Sequence, residues 1–283
     1  MKKYSKFFIL IVLSFISISC SKTNYTINDG KKNIKSIFND NVIHVNIIST
    51  ERGCKKDLFP NRSCTINNGN KYIVTHSASK RCYDIIIGPN KEKIIIPVPE
   101  KKKYPNHFCS FDLKAIPNTN SFFVYYRLNS FYKYDNKLLK QIKLYDIFKE
   151  DITSILGHVI YPFIQDVLPI SSDKQYILAS DYLVLKDREH YKTANLPKLK
   201  WLILQSICEQ NGSLYTVGNY GPNPKKPIAF KISYDLSRLE RVDIPINKHF
   251  RSIHTLQNNQ LLLITTHLSH YHQDIERHIL KVL

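Results

Sequence analysis

Short runs of β-branched, aromatic and other apolar residues recur along most of this chain, with polar turn residues between them. Each run holds three to seven residues, which is the length of a β-strand and too short for a typical helix. The pattern therefore predicts a mainly β fold. The predicted strands are Tyr72–Thr75, Ile85–Ile87, Ile94–Val98, Phe122–Leu128, Tyr176–Ala179, Tyr182–Leu185, Trp201–Leu204, Leu214–Val217, Ile228–Ile232, Leu261–Thr266 and Ile279–Leu283.

The turns between these runs contain asparagine more often than glycine, since the whole chain has only 8 glycines. Asparagine tolerates the left-handed backbone that tight turns require, so we expect it to replace glycine there. The runs Ile85–Ile87 and Ile94–Val98 are separated by residues 88–93, which include Gly88 and Pro89. This spacing predicts a hairpin with a longer loop.

One short helix is predicted near residues 146–157, where Asp146 can cap the start and Gly157 can end it. The apolar residues there follow the spacing i, i+4, i+7, i+8, i+11, which places them on one buried face. These residues are Phe148, Ile152, Ile155, Leu156 and Val159.

A weak internal repeat has a period of about fifty residues, which is typical of repeat folds. Tyr134-Asp135 and Tyr234-Asp235 are 100 residues apart; Tyr83-Asp84 lies 51 residues before the first pair, and Tyr182 lies 48 after it. Each pair stands near a turn between strands, so the repeating unit resembles a four-stranded β-propeller blade. The sequence predicts a propeller-like domain, with a two-sheet β-sandwich or two small β domains as alternatives.

The first twenty residues combine a basic start with an apolar segment that is too short to span a bilayer. Lys2, Lys3 and Lys6 precede the uncharged run Phe7–Ser19, and Cys20 follows. This segment resembles the signal peptide of bacterial lipoproteins, whose cysteine receives acyl chains such as palmitate. The resemblance covers residues 1–20 only.

The resemblance implies a signal peptide over residues 1–19 and a lipidated Cys20. The polar residues that follow, in which Lys, Asn and Asp dominate, predict a tether over 20–36, and the strand pattern predicts a β-rich domain over 37–283. Cleavage before Cys20 would remove three lysines and no acidic residue, which lowers the formal charge from +18 to +15. Ser21 after the cysteine favours the outer membrane, with the domain facing the periplasm.

Export places the remaining cysteines in an oxidising compartment, where disulfides persist. Neighbouring cysteines pair at low loop-closure cost, which favours Cys54–Cys64 and Cys82–Cys109, and other pairings of these four stay open. Cys208 lies beside an apolar run and is expected to be a buried, unpaired thiol.

No nucleophile elbow, phosphate-binding loop, dinucleotide fingerprint or zinc-protease helix occurs in the sequence, and no cofactor is expected. A histidine-rich stretch contains His267, His270 and His272, followed by Asp274, Glu276 and His278. Imidazoles at this density can bind a transition metal, but the spacing gives no closed set of four ligands and favours a solvated, histidine-rich loop.

Lysines cluster in two predicted loops, at Lys101, Lys102 and Lys103 and at Lys225 and Lys226. They are either ordinary solvated residues or part of an electropositive face that attracts an acidic protein or anionic envelope groups. Export argues against nucleic acid as the partner.

These observations favour a non-catalytic, lipid-anchored envelope protein that binds a macromolecule through loops on a β scaffold. A narrower hypothesis is an immunity protein against a periplasm-delivered toxin, such as a lipase or a cell-wall-cutting effector. The alternatives are a metal-dependent or hydrolytic envelope enzyme that uses the His267–His278 segment, and a structural lipoprotein.

Overall fold

The computed structural model describes residues 42–54, 57, 60–76, 84–94, 111–126, 130–135, 138–143, 164–179, 182–188, 190–222, 225–267 and 274–283. Within these ranges the chain forms strands and one short 3-10 helix, Pro60–Arg62. The strands are β1 Val42–Arg52, β2 Ser63–Thr65, β3 Lys71–His76, β4 Asp84–Ile87, β5 Lys93–Ile94, β6 Phe111–Ala115, β7 Phe122–Tyr126, β8 Ser130–Asp135, β9 Leu138–Lys143 and β10 Ile164–Pro169. They continue with β11 Lys174–Ala179, β12 Tyr182–Asp187, β13 His190–Thr193, β14 Ile203–Gln210, β15 Ser213–Tyr220, β16 Lys226–Ser233, β17 Leu239–Asp243, β18 His249–Thr255, β19 Gln260–Thr266 and β20 Ile275–Val282.

Four-stranded antiparallel sheets repeat along the chain. Strands β2–β5, β6–β9 and β10–β13 each form one sheet in sequence order. The remaining strands form one eight-stranded sheet in the order β14-β15-β16-β17-β1-β20-β19-β18, whose first half, β14–β17, is a fourth unit of the same kind. A fifth unit consists of β18, β19 and β20 together with β1, which pairs antiparallel with β20. The described strands therefore form five units, which we call blades 1 to 5 in this order.

The first strands of consecutive blades contact one another, from β2 to β6, β10, β14 and β18. Antiparallel four-stranded units repeated side by side in this way are the arrangement of a β-propeller. The prediction of a mainly β, propeller-like fold is confirmed. The predicted helix near 146–157 lies outside the described residues, as does everything before Val42.

Strand β1 completes the fifth blade, although it comes first in the sequence. Its pairing with β20 runs from Val45 opposite Val282 to Arg52 opposite Glu276. The start of β1 also pairs in parallel with β17, from Val42 to His44. The amino-terminal strand thus joins blades 4 and 5 and holds the last blade in its four-stranded form.

The hydrophobic core lies between adjacent blades, so the central strands are buried on both faces. In β7, Phe122 and Val124 pack toward blade 1, whereas Phe123 and Tyr125 pack toward blade 3. All four side chains are fully buried. Successive residues of a strand point to opposite faces, which explains why this strand is a continuous apolar run.

Asparagine supplies the left-handed backbone in the turns, as predicted. Asn118, Asn211, Asn258 and Asn259 all have positive φ, between 51° and 60°. The predicted hairpin is also confirmed, since β4 pairs antiparallel with β5 around a turn that begins at Gly88.

The repeated Tyr-Asp pairs mark blades, but at two different places within them. Tyr134-Asp135 ends the third strand of blade 2, and Tyr234-Asp235 directly follows the third strand of blade 4. Asp84 and Tyr182 instead begin the third strands of blades 1 and 3. The fifty-residue period is therefore the blade length, while the two sets are offset by one strand.

Asp235 builds the predicted Asx-type turn between β16 and β17. Its carboxylate accepts hydrogen bonds from the hydroxyls of Ser233, at 2.6 Å, and Ser237, at 2.7 Å. These hydrogen bonds, that of Ser233 first, hold the pKa of Asp235 well below its usual range. The carboxylate is therefore ionised at neutral pH and closes the turn.

Nine described strands were not predicted, namely β1, β2, β6, β8, β9, β10, β13, β17 and β18, and most of the other strands differ from the predicted bounds by a few residues. Two of the differences have a clear physical cause. Strand β14 begins at Ile203, because Trp201 adopts a positive φ of 57° that no strand accommodates. Strand β20 begins at Ile275, four residues before the predicted start, because its pairing with β19 already begins at Thr266.

The predicted Cys54–Cys64 disulfide is not formed in the structure, where both residues are free thiols. Cys64 points into the core between blades 1 and 2, and burial raises its pKa to about 12. Cys54 is exposed after β1, where its backbone N–H donates to the carboxylate of Asp57 at 2.6 Å. The two side chains thus occupy different environments, and Cys82 and Cys109 lie outside the described residues.

Cys208 is a buried, free thiol, as predicted. It packs in the core between blades 4 and 5, and burial raises its pKa to about 12. A protonated thiol in this position behaves as a small apolar side chain.

Candidate functional site

The segments before β14 and β18 and those after β15 and β19 meet at one end of blades 4 and 5. The backbone N–H of Gly221 donates to the carbonyl of Lys200 at 2.8 Å, which joins the segment after β15 to the segment before β14. The side-chain amide of Asn219 binds the backbone of Phe250 through both of its polar atoms, at 2.9 and 3.1 Å. We call this end of the molecule the upper face, defined by Lys200, Trp201, Lys225, Lys226, His249, Arg251 and His267.

Trp201, the only tryptophan of the chain, is presented to solvent on the upper face. Its side chain is 54% exposed, and the ammonium of Lys200 lies 4.6 Å from the ring centroid. The loop is held by hydrogen bonds from Leu199 N–H to the Pro197 carbonyl and from Leu202 N–H to the Leu199 carbonyl. A large aromatic side chain is therefore exposed on a backbone of fixed shape.

The upper face is electropositive around the start of β18. Burial lowers the pKa of His249, and the positive charges of Arg251 and Lys225 lower it further. The influence of Lys225 on His249 shows that the predicted basic loop lies close to this strand. Lys248 is paired with Glu276, which neutralises one further cation at the edge of this face.

Part of the predicted basic set lies near the start of β18, since the charge of Lys225 acts on His249. Lys225 is half-buried and Lys226 is exposed, and both lie at the start of β16. Lys101, Lys102 and Lys103 lie outside the described residues. Sequence reasoning misses Trp201 as a surface residue, because the apolar residues after it predict a strand that starts there.

The histidine-rich stretch is divided between a connection and a strand. His267 is exposed after β19, and His270 and His272 lie outside the described residues. His278 is buried in β20, where its two ring nitrogens contact the hydroxyls of Thr50 at 2.8 Å and Thr265 at 2.9 Å. Among the described residues no group of histidine, cysteine and acidic side chains has an arrangement suited to a metal ion.

A buried polar network, missed from the sequence, joins the first strands of the blades beneath the upper face. Its centre is Asp166 of β10, which is 1% exposed. The ammonium of Lys114 from β6 lies 3.0 Å from its Oδ1 atom. The hydrogen-bond donors to the carboxylate are Asn61 Nδ2 at 3.3 Å, Tyr125 Oη at 3.0 Å, Val167 N at 2.9 Å, Ser206 Oγ at 2.9 Å and Ile207 N at 3.1 Å.

This network stabilises the fold, because the Asp166 carboxylate at its centre is buried and fully engaged. Its members come from blades 1, 2, 3 and 4, so one carboxylate ties four blades together. His254 lies nearby on β18; burial lowers its pKa to about 4, and the positive charge of Lys114 acts in the same direction. The ring is therefore neutral at physiological pH, where it contacts the Ser252 hydroxyl at 3.0 Å.

Comparisons with known proteins support the fold alone. No family model and no curated protein matches the chain. A streptogramin B lyase structure matches with a TM-score of 0.51 and 9% identity, over 78% of this chain and 64% of that one, which is less than two thirds of its length.

Two other solved structures show weaker likeness. YCF48 bound to D1 peptide matches with a TM-score of 0.46 and 5% identity, over 77% of this chain and 63% of that one. Virginiamycin B lyase from Staphylococcus aureus with quinupristin matches with a TM-score of 0.38 and 9% identity, over 83% of this chain and 99% of that one.

Proposed function

We propose that this chain is a lipid-anchored envelope protein that binds an acidic protein through its upper face and performs no catalysis. The observation that carries the proposal is the exposed Trp201 on a hydrogen-bonded loop, with Lys200 above its ring. Tryptophan is among the residues most enriched at the centres of protein interfaces. A fixed loop also loses little conformational entropy when a partner binds.

The charge of the upper face supports an acidic partner. Lys200 lies over the tryptophan ring, and the upper face also contains Lys225, Lys226 and Arg251. The chain as a whole has a formal charge of +18. Complementary charge speeds the encounter of two proteins and excludes partners of the same sign. The binding is therefore expected to weaken as ionic strength rises.

A pull-down from envelope extract tests the binding surface. Replacing Trp201 with alanine is expected to lower the affinity for the captured protein by about thirtyfold or more, since an interface hot spot costs about 2 kcal/mol or more when truncated. Tyr191→Ala is the matched control, because Tyr191 is also an exposed aromatic residue with a lysine, Lys186, 5.7 Å from its ring centroid. Equal affinities of wild type and Trp201→Ala would contradict the proposal.

The narrower form of the proposal, a toxin as the partner, is decided by the same capture. A secreted lipase or cell-wall-cutting enzyme among the captured proteins would support an immunity role, and deletion of this gene should then sensitise cells to kin that carry the toxin. Capture of an unrelated acidic envelope protein would support the general binding function and remove the immunity role.

Membrane attachment through Cys20 is a separate expectation with its own test. Replacing Cys20 with alanine removes the thiol that receives acyl chains, so the protein should no longer incorporate labelled palmitate. Cys54→Ala is the control, since Cys54 is an exposed thiol outside the signal segment. Unchanged label in Cys20→Ala would contradict lipid anchoring at this residue.

A further inference from the structure

Strand β1 has one hydrogen-bonding edge that is only partly used. The edge on the side of blade 5 pairs with β20 over Val45–Arg52. The opposite edge pairs with β17, but only over Val42–His44. Among the described strands none pairs with this second edge beyond His44. We call residues 45–52, on the side of β1 away from β20, the free edge.

Strand β17 does not follow β1 further because the chain turns after Asp243. The backbone N–H of Ile246 donates to the carbonyl of Ile244 at 2.7 Å, with Pro245 between them. Ile244 and Ile246 pack, partly buried, against the core between blades 4 and 5. The free edge therefore begins where β17 leaves β1, and no described strand continues the line of β17 beyond that point.

The side chains of the free edge are exposed, and those at its centre are apolar. Every residue from Asn46 to Arg52 is exposed. Ile47 is 37% exposed and Ile48 is 49% exposed. Sheet proteins commonly protect an edge strand with charged side chains, yet β1 has no charged residue from Asn46 to Thr50. An exposed, apolar and uncharged edge of this kind is suited to pairing with another chain.

The backbone of the free edge is suited to an extended polypeptide. An edge strand presents a row of N–H and carbonyl groups, with which another extended backbone can pair. The register with β20 shifts at Ile48 and is regular again from Ser49 to Arg52, so the bulge interrupts the row at one residue only. A lipid or a small ligand matches no such row of donors and acceptors. The edge therefore favours a peptide strand.

The charges at one end of the free edge favour an acidic residue in that strand. Arg52 is exposed, and the residue opposite it on β20, Glu276, is paired with Lys248. The neighbouring Glu51 is paired with Arg277 at 3.3 Å. Three cations and two carboxylates thus meet at this end, which leaves one positive charge in excess. A carboxylate placed beside Arg52 would complement it.

We propose that the free edge of β1 binds an extended segment of another protein as an additional β-strand. The segment carries apolar side chains against Ile47 and Ile48 and an acidic residue beside Arg52. Backbone hydrogen bonds supply the affinity, and the side chains supply the specificity. The site lies on the outer strand of blade 5, so the proposal does not depend on the binding role of the upper face.

A peptide selected on the full chain tests the backbone part of the proposal. Short random peptides displayed on phage are selected for binding, and a synthetic copy carrying fluorescein is titrated by fluorescence anisotropy. The selected peptides should have apolar residues in the middle and an acidic residue near one end. N-methylation of every second amide should weaken binding by about tenfold or more, since those amides donate to the free edge. N-methylation of the other set is the matched control and should change the affinity little, because these amides face solvent.

Two protein variants place the bound peptide on β1. Ile48→Lys should weaken binding by about tenfold or more, because a charged side chain replaces an apolar contact at the edge. Ile73→Lys is the matched control: Ile73 is also an exposed isoleucine, at 41%, but both edges of its strand β3 are paired, with β2 and β4. Ile73→Lys should leave the affinity unchanged, and both variants should keep the wild-type thermal midpoint.

The same experiments define what would overturn the proposal. It fails if no peptide is selected, if both methylation patterns weaken the peptide equally, or if Ile73→Lys weakens binding as much as Ile48→Lys. Sedimentation velocity examines a second copy of this chain as the occupant. A wild-type dimer that Ile48→Lys dissociates would assign the free edge to self-association and would also overturn the proposal.

Discussion

The Asp166→Ala variant is expected to lose about 3–5 kcal/mol of unfolding free energy, the usual cost of breaking a buried ion pair. The substitution removes the carboxylate that pairs with Lys114 and accepts hydrogen bonds from blades 1, 2 and 4. It leaves a partly buried ammonium and a buried backbone N–H of Ile207 without their acceptor. Urea denaturation followed by circular dichroism measures the loss.

Two further variants separate the role of Asp166 from a general effect of losing an aspartate. Asp173→Ala removes an exposed aspartate from the β10–β11 turn of the same blade, and it should change stability by less than about 0.5 kcal/mol. Lys114→Met in the Asp166→Ala background should restore part of the loss, because the orphaned cation is gone. If the Asp166→Ala protein were as stable as Asp173→Ala, the role of Asp166 in holding four blades together would be refuted.

The Val45→Asp variant is expected to destabilise the protein by about 3 kcal/mol or more, because it buries an unpaired carboxylate in an apolar core. Val45 lies on β1 and is 5% exposed, in the cluster between blades 4 and 5. Strand β1 is the fourth strand of blade 5 and also pairs with β17. If β1 detaches, the edge of β20 that it covers is left without its hydrogen-bond partners. The thermal midpoint measures the effect.

Asn46→Asp is the matched control, because it places the same side chain on the next residue of the same strand, where the position is exposed. It should shift the midpoint little. A deletion that ends at Arg52 should go further than Val45→Asp and abolish cooperative unfolding. Closure of the last blade by β1 would be refuted if the deletion variant unfolded with the wild-type midpoint.

Local sequence patterns predicted eleven of the twenty described strands, because a strand that is buried on both faces is a continuous run of apolar residues. The other nine strands contain more polar residues and were missed. The run Phe122–Tyr125 is apolar at every position since adjacent blades cover both of its faces. The positions of the asparagine turns could also be predicted, because asparagine itself tolerates the positive φ that Asn118 and Asn211 adopt. The blade length was visible as a period of about fifty residues.

The features that depend on contacts distant in sequence could not be predicted. The pairing of β1 with β20 joins residues more than 200 positions apart, and nothing in Val42–Arg52 indicates its partner. Asp166 is a single acid in the apolar run Ile164–Pro169, and an exposed edge position would give the same pattern. Its carboxylate can be buried only because four other segments of the chain supply the hydrogen-bond donors and the lysine that pair with it.

The candidate site likewise has one part that the sequence predicts and one part that only the folded structure reveals. The sequence identified Lys225 and Lys226 as basic loop residues, and the structure places Lys225 near His249 and Arg251. Trp201 was assigned to a strand because its neighbours Leu202, Ile203 and Leu204 are apolar. Its positive φ and its exposure became visible only in the folded chain.

Site-specific photo-crosslinking in the envelope tests the role of the upper face most directly. A benzophenone amino acid replaces Trp201 in one protein and, in the other, Asn118, which is exposed in the β6–β7 turn at the opposite end of its blade. The account predicts a covalent adduct with an acidic envelope protein from position 201 and none from position 118. No adduct from position 201, or the same adducts from both positions, would contradict it.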